Sequence, residues 1–473
     1  LGSNAFSHGL INFENFTIQH FAMSRILFRI TAVVMMVGAT LFYNSCQKEG
    51  RPELSGAVKN YQHLVPWSWN ELFLVIERYA DGYRPGPAPR ALAYMGLSAF
   101  EACQPGMSDE YNSIAGLYPG LSIPPVDPGV EYHWPTVVNG SYAYLMKRFF
   151  PHVAPDLKFR INQLESQFDE TTLNRISRAV FERSKKRGED VARAIFEWSA
   201  TDPVGHNAFL NPRPSNYVPP IGAGLWAPTY PDYSRGLFPY WGTSRTFAIT
   251  QADKLSNPPL PYTEQVGAAL WNQAKQVYDI NTPTLQFEQQ WIAEFWSDDA
   301  LTLTFSPPSR WIAIADQVVD KEDTDLALAL YTFLKVGLAL NDAGVACWHS
   351  KYFYNIERPV SYIRRVIDPN WKPHNPFTPS FPAYPSGHAT FGAAASAVLT
   401  EIYGPGYSMT DRCHEGRTDF LGMPRRFNSF NEMAEENAYS RVPLGVHFLM
   451  DATEGVRHGY AIGAKVNQIR IRK

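Results

Sequence analysis

Cysteine is scarce in this chain: four in 473 residues, at positions 46, 103, 347 and 413. None are spaced as CxxC, which excludes a disulfide-stapled scaffold and a thiolate zinc or redox centre. Cys103, Cys347 and Cys413 are expected to be structural filler, and their spacing leaves open whether two of them pair. An excess of charge is also missing. Lys and Arg number 42 against 45 Asp and Glu, a formal charge of −3, so a general nucleic-acid binder is excluded. Beyond Cys46 no run reads as a membrane span, which needs roughly 20 apolar residues. No stretch alternates for long with period two, so a large sheet is not expected. Gly222-Ala223-Gly224 follows no strand and sits between Pro220 and Pro228, which rules out a dinucleotide loop. His414-Glu415 has Thr418 where a zincin needs its second histidine, and no Gly-x-Ser-x-Gly elbow occurs.

What is abundant is apolar and aromatic. Hydrophobic residues make up 45% and charged residues 18% of the chain, enough for a large core and too few charges for a disordered chain. Apolar spacing is helical in Trp69–Tyr83, Ala88–Cys103, Val137–Phe150 and Leu173–Ser199, and again in Thr263–Asp279, Thr284–Trp296, Thr324–Tyr354, Ser386–Tyr403, Phe430–Tyr439 and Val446–Val466. The fold class is therefore all-α, built of packed helical bundles. The basic run Arg183–Arg187 reads as a solvated helix face. Between Asp202 and Tyr262 the chain is aperiodic and crowded with Pro, Trp and Tyr, the pattern of a long loop that lines or covers a functional pocket. The expected organisation is 1–46 as upstream sequence and signal, 47–262 as an N-terminal helical region ending in that segment, and 263–473 as a C-terminal helical domain.

The first fifty residues read as an address. Arg25 and Arg29 precede the short apolar stretch Ile30–Phe42, and Ser45-Cys46 is followed by polar Gln47-Lys48-Glu49. This resembles a bacterial lipoprotein signal, with Met23 as the start and Cys46 as the lipidated residue. The resemblance implies an exported protein, periplasmic or at the cell surface, that meets the membrane only through its lipid.

Three segments in the last third hold the chemistry. Lys351 and Arg358 lie seven apart, so a helix that continues through Arg358 would project both from one face. Ser386, in Pro385-Ser386-Gly387-His388, stands where an N-cap belongs, before the small-residue run Ala389–Ala397. The Gly387 amide then faces an anion at a helix N-terminus, and His388 can exchange a proton with it. In Ser440-Arg441 and Val446-His447, Arg441 adds a guanidinium suited to paired oxygens. His447 is expected on a helix, with Asp451 four residues on and on the same face to hold its ring. Three cations, a hydroxyl, an amide and two histidines thus converge on one small tetrahedral anion.

These segments resemble the signature of the superfamily that joins vanadium-dependent haloperoxidases with type 2 phosphatidic acid phosphatases and bacterial acid phosphatases. The signature covers roughly Lys351–Asp451, with a weaker likeness at Ala293–Asp299. The resemblance implies an all-α fold and a pocket that takes vanadate or phosphate. It implies that Lys351, Arg358, Ser386, Gly387 and Arg441 bind equatorial oxygens, that His388 is the acid/base, and that His447 bonds vanadium. In a phosphatase His447 would instead be the nucleophile that becomes a phosphohistidine, hydrolysing a phosphate monoester. Trp348 and Phe381, with the run Phe381–Thr390, are similar to the fungal chloroperoxidase type, where aromatics flank a halide site. The implied partners are therefore hydrogen peroxide and halide, and the implied function is haloperoxidase, with acid phosphatase as the alternative. A non-catalytic oxyanion-binding lipoprotein is disfavoured because binding alone needs no proton-transfer histidine. Asp298 or Asp299 is expected to pair with Arg441.

Overall fold

The computed structural model describes residues 57–127, 129–230, 233–298, 304–375 and 377–473. The signal stretch with Met23 and Cys46, and Asp299, lie outside the described residues. The helices are α1 (Leu64–Glu77), α2 (Pro87–Cys103), α3 (Trp134–Phe149), α4 (Pro155–Leu173), α5 (Arg178–Ala200), α6 (Pro203–Asn207), α7 (Ala269–Ile280), α8 (Phe287–Phe295), α9 (Pro307–Lys321), α10 (Leu326–Tyr354), α11 (Pro359–Val366), α12 (Gly387–Tyr403), α13 (Phe430–Tyr439) and α14 (Leu449–Asn467). Among the described residues one antiparallel ribbon, β1 (Met409–Asp411) with β2 (Arg425–Phe427), interrupts them.

Local signals explain the boundaries. Proline occupies the first turn of α2, α4, α9 and α11, where its missing N–H costs nothing. Asp325 caps α10 by accepting the Leu328 amide at 2.9 Å, and Ser429 caps α13 by accepting that of Glu432 at 3.1 Å. Several helices depart from the periodicity. Leu173–Ser199 is a junction: α4 ends at Leu173, and α5 begins after Ser177 accepts from Val180. α4 itself has only Leu157 and Ile161 buried, so it carries almost no apolar stripe to read.

The core runs from Val58 to Ile471, and α10 is its axis. By length and composition α10 is apolar enough to cross a membrane, contrary to the sequence reading, but 94% of its most apolar window is buried inside the protein. It is a core helix, apolar on all sides because neighbours surround it. The basic run is not a solvated face either. Arg187 is buried and donates to the carbonyls of Glu101 and Ala102, each at 3.2 Å, while Lys185 bridges Glu165 and Asp169. Cys103, Cys347 and Cys413 are all free thiols.

α12 and α14 form the closest pairing. Gly455, Gly459 and Gly463, one per turn of α14, face Ala389, Ala393 and Ala397 of α12, and a Cβ at Gly459 would lie 2.5 Å from the Thr390 carbonyl oxygen. The backbone amide of Ser386 donates to the Asp451 carbonyl at 2.9 Å, which locks the N-terminal ends of the two helices together.

Asp316 on α9 is buried, with Oδ1 accepting from Asn70 Nδ2 at 3.2 Å. Burial pushes its carboxyl well above the usual range, and Glu71 pushes the same way. Unfolded, the group ionises near pH ~3.9. Its raised folded pKa therefore costs stability as pH rises above that value, by at most about 1.4 kcal/mol per pH unit up to the folded pKa. Asp316→Asn removes this dependence. The Tm difference, variant minus wild type, is expected to grow as the pH rises above about 4; parallel Tm curves would contradict the assignment.

Candidate active site

All three segments meet, although two arrive by another route than periodicity implied. α10 does not continue to Arg358. It stops at Tyr354, and Asn355 turns the chain in the left-handed conformation at φ 52°, which Asn tolerates. Arg358 then stands immediately before α11 with its side chain directed back into the fold, fully buried. Its Nε donates to the Phe381 carbonyl at 3.0 Å, and Nη1 to the Val446 carbonyl at 2.9 Å and to His447 Nε2 at 3.1 Å.

His447 likewise precedes its helix, because α14 begins at Leu449. Asp451 lies on the first turn, with Oδ2 accepting from His447 Nδ1 at 2.8 Å and from the Phe448 amide at 3.1 Å. The contact expected of one helix face is thus made by a helix N-terminus holding a carboxylate that reaches back. An arginine can only donate, so the bond from Arg358 means that Nε2 of His447 carries no proton and puts the proton on Nδ1, facing Asp451. Burial first, then Arg358 and Lys351, push the His447 imidazole well below its usual range; burial pushes the Asp451 carboxyl up against the pull of the same cations. The pair is a neutral imidazole with its acceptor nitrogen turned to the cations.

Ser386 caps α12, its Oγ accepting the Ala389 amide at 3.5 Å, so the hydroxyl proton stays available to an anion. His388 on the first turn accepts from Arg441 Nη1 at 3.2 Å through Nε2, and burial and Arg441 lower its pKa well below the ordinary value. Lys351 donates to the carbonyls of Pro382, Ala383 and Pro385 at 3.0, 2.7 and 2.6 Å. It pins the loop that leads into Ser386, and a bond to a bound anion would exchange one of these carbonyls. Arg441 Nη2 donates to the Trp296 carbonyl at 2.6 Å and its Nε to Ser440 Oγ at 2.9 Å. Asp298 does not pair with Arg441: it accepts from Arg310 Nη1 at 3.0 Å and from His414 Nε2 at 2.9 Å.

Trp348 and Phe381 form one wall, ring centroids 5.0 Å apart. Phe381 lies 5.1 Å from Lys351 Nζ and 5.0 Å from Arg358 Cζ. The indole N–H of Trp348 is spent on the Leu237 carbonyl at 3.1 Å, so this wall presents carbon only. Leu237 belongs to the Pro/aromatic segment, whose Trp226 amide also donates to the Asn355 carbonyl at 2.7 Å and whose Leu237 amide donates to that of Ser380 at 2.8 Å. The segment covers the back of the aromatic wall and the turn that aims Arg358.

The donor set fits vanadate. Lys351, Arg358 and Arg441 are 0–1% exposed and surround one carboxylate, Asp451, an excess of positive charge that suits a multiply charged oxyanion. A bare cation would need carboxylates, imidazoles or thiolates together, and no such group of three occurs among the described residues. A Cβ at Gly387 would come no nearer than 3.6 Å, to Trp348, so the protein's own packing leaves room beside the α12 N-terminus.

Residues 331–472 match the family model of the VCPO second helical-bundle domain. Vanadium chloroperoxidase of Curvularia inaequalis is 27% identical over 346 residues, 56% of each chain, so the match spans just over half of that relative. The crystal structure of the first bacterial vanadium-dependent iodoperoxidase is 29% identical and superposes with a TM-score of 0.77, covering 86% of this chain and 97% of that one. The chain has the vanadium haloperoxidase fold. A holo-type bacterial vanadium-dependent chloroperoxidase, 15% identical with a TM-score of 0.63 over 89% of this chain and 98% of its own, shares that fold. In this haloperoxidase fold the carbonyls of Phe381, Val446 and Trp296 orient the cations, and side-chain spacing gives no sign of them. The Trp296 carbonyl had one pointer, the likeness at Ala293–Asp299.

Proposed function

We propose that the chain is a vanadium-dependent haloperoxidase that oxidises halide with hydrogen peroxide at a vanadate held on His447. The observation that carries this reading is the unprotonated Nε2 of His447, which here accepts from Arg358 at 3.1 Å and would exchange that bond for the anion; the ring is oriented by Asp451 at 2.8 Å and set among three buried cations beside an apolar wall. Arg358, Arg441, Ser386 and the Gly387 amide would hold the oxygens of the anion, with Lys351 joining them by exchanging a carbonyl. Vanadate, when bound, supplies Lewis-acid activation of peroxide. The residues do the rest. His388 Nε2, once parted from Arg441, takes a proton from incoming peroxide and returns it to the departing oxygen as water. Trp348 and Phe381 exclude water from the halide, which leaves it a stronger nucleophile. Halide gives two electrons to peroxide, yielding hypohalous acid and water with uptake of one proton.

The same donors fit phosphate, and a neutral His447 backed by Asp451 could also attack a phosphorus centre. Bromination that requires vanadate and is blocked by phosphate is expected from purified protein. Phosphate release from a monoester, inhibited by vanadate and without bromination, would replace the reading with acid phosphatase; tight anion binding without either turnover would leave only a binding protein.

We also propose export and anchoring through Cys46, supported by Arg25, Arg29 and the apolar stretch before Ser45-Cys46. Cys46→Ala is expected to move the protein from the membrane fraction to the soluble one. An unchanged distribution would contradict the anchor.

A further inference from the structure

Arg310 on α9 takes no part in the chemistry above, yet it is as completely enclosed as Lys351 and Arg358. It is 0% exposed. Its Nη1 donates to Asp298 Oδ1 at 3.0 Å and to the Phe295 carbonyl at 3.1 Å, and its Nε and Nη2 both donate to Asp411 Oδ2, at 3.1 and 2.7 Å. The guanidinium lies 4.5 Å from the ring centroids of Phe295 and of Trp296. His414 closes the cluster on the far side, with Nε2 donating to Asp298 Oδ1 at 2.9 Å.

This cluster and the anion site share one residue. The ring of Trp296 packs on Arg310, while its backbone carbonyl accepts from Arg441 Nη2 at 2.6 Å. A buried cation held by two carboxylates, one backbone carbonyl and two ring faces has a single low-energy position, because any displacement breaks charge-assisted bonds in a low-dielectric interior. The end of α8 is thereby fixed on one side by Arg310, and it presents the Trp296 carbonyl to Arg441 on the other. Buried ion pairs barely repay their desolvation, so net stability gives little reason for so costly a network.

We infer that Arg310, held by Asp298, Asp411 and His414, is a positioning residue for the anion site, and that it acts through Trp296 on the orientation of Arg441. The inference rests on the proposed oxyanion function of that site. It makes the affinity for a tetrahedral anion depend on residues that never touch the anion.

The test is a double-mutant cycle on the full chain, with the binding of orthovanadate and of inorganic phosphate read by titration calorimetry. Asp298→Asn keeps shape and removes the charge that pairs with Arg310. It is expected to weaken anion binding about tenfold in the wild type and in an Arg358→Ala background. In an Arg441→Ala background the further loss is expected to stay within about twofold, because the residue through which it acts is already gone. An equal loss in both backgrounds, or none in the wild type, overturns the inference and leaves the anion-site reading standing. A wild-type chain that binds neither anion overturns that reading, and this inference with it. Should Asp298→Asn fail to fold, His414→Leu takes its place under the same criteria, and His414→Gln, which can still donate to Asp298, is expected to restore affinity. Equal losses from the Leu and Gln variants would count against the inference.

Discussion

Replacing His447 with alanine is expected to abolish vanadate-dependent halide oxidation, by about a thousandfold or more, because in the proposed function this residue supplies the neutral nitrogen that bonds the central atom of the anion. The cations remain, so weak anion binding by charge alone is expected to survive. Stability changes less than activity. The variant loses the bond from Nδ1 to Asp451, which keeps the Phe448 amide; leaving a buried carboxylate with one partner fewer costs about 1–3 kcal/mol. A thermal melt and a bromination assay on the same preparation separate the two effects. Substantial turnover by the folded variant would remove His447 from the site.

The second large effect is steric and lies away from the anion. A Cβ at Gly459 would sit 2.5 Å from the Thr390 carbonyl oxygen and 2.7 Å from the Ala393 Cβ. Both are rigid helix atoms. Gly459→Val therefore pushes α14 away from α12, and since the Ser386 amide and the Asp451 carbonyl join the two helices at their N-terminal ends, the displacement pulls His388 and His447 apart. Overpacking of a close contact costs about 1–3 kcal/mol, and more where backbone is the obstacle. The expected result is a fall in Tm together with loss of anion affinity. A variant that keeps both would show that the helices have slack the close approach denies. Gly387→Ala is the natural contrast, since a Cβ there meets only ordinary contacts, and its Tm is expected to stay near that of the wild type.

How much of this could be read from sequence follows from which forces act locally. Phe430–Tyr439 buries one face and is legible by periodicity, Pro87–Cys103 is buried at every position, and Pro155–Leu173 buries two residues and gives no stripe; Pro307–Lys321, which opens on two prolines, goes unread. That these donors and cations gather in one place was legible, because an oxyanion site demands such residue types together. Their route into that place was not. Asn355 breaks α10 before Arg358, and His447 precedes α14 rather than riding on it. Asn355 decides the first and Gly445, at φ 82°, turns the chain before the second, and helical spacing would put both side chains elsewhere. Asp298 or Asp299 is expected from sequence to pair with Arg441, yet the partners of Asp298 are Arg310 and His414. Long-range pairing of charges has no periodic trace, and neither do the backbone carbonyls that orient Lys351, Arg358 and Arg441.

The central claim is that vanadate is held by His447 among these cations. It is tested most directly by a crystal soaked in orthovanadate, with diffraction recorded on both sides of the vanadium absorption edge. The account predicts one strong anomalous peak at bonding distance from Nε2 of His447, enclosed by Arg358, Ser386, Gly387 and Arg441 and absent from the His447→Ala crystal. A peak elsewhere, or one that persists unchanged in that variant, would contradict it.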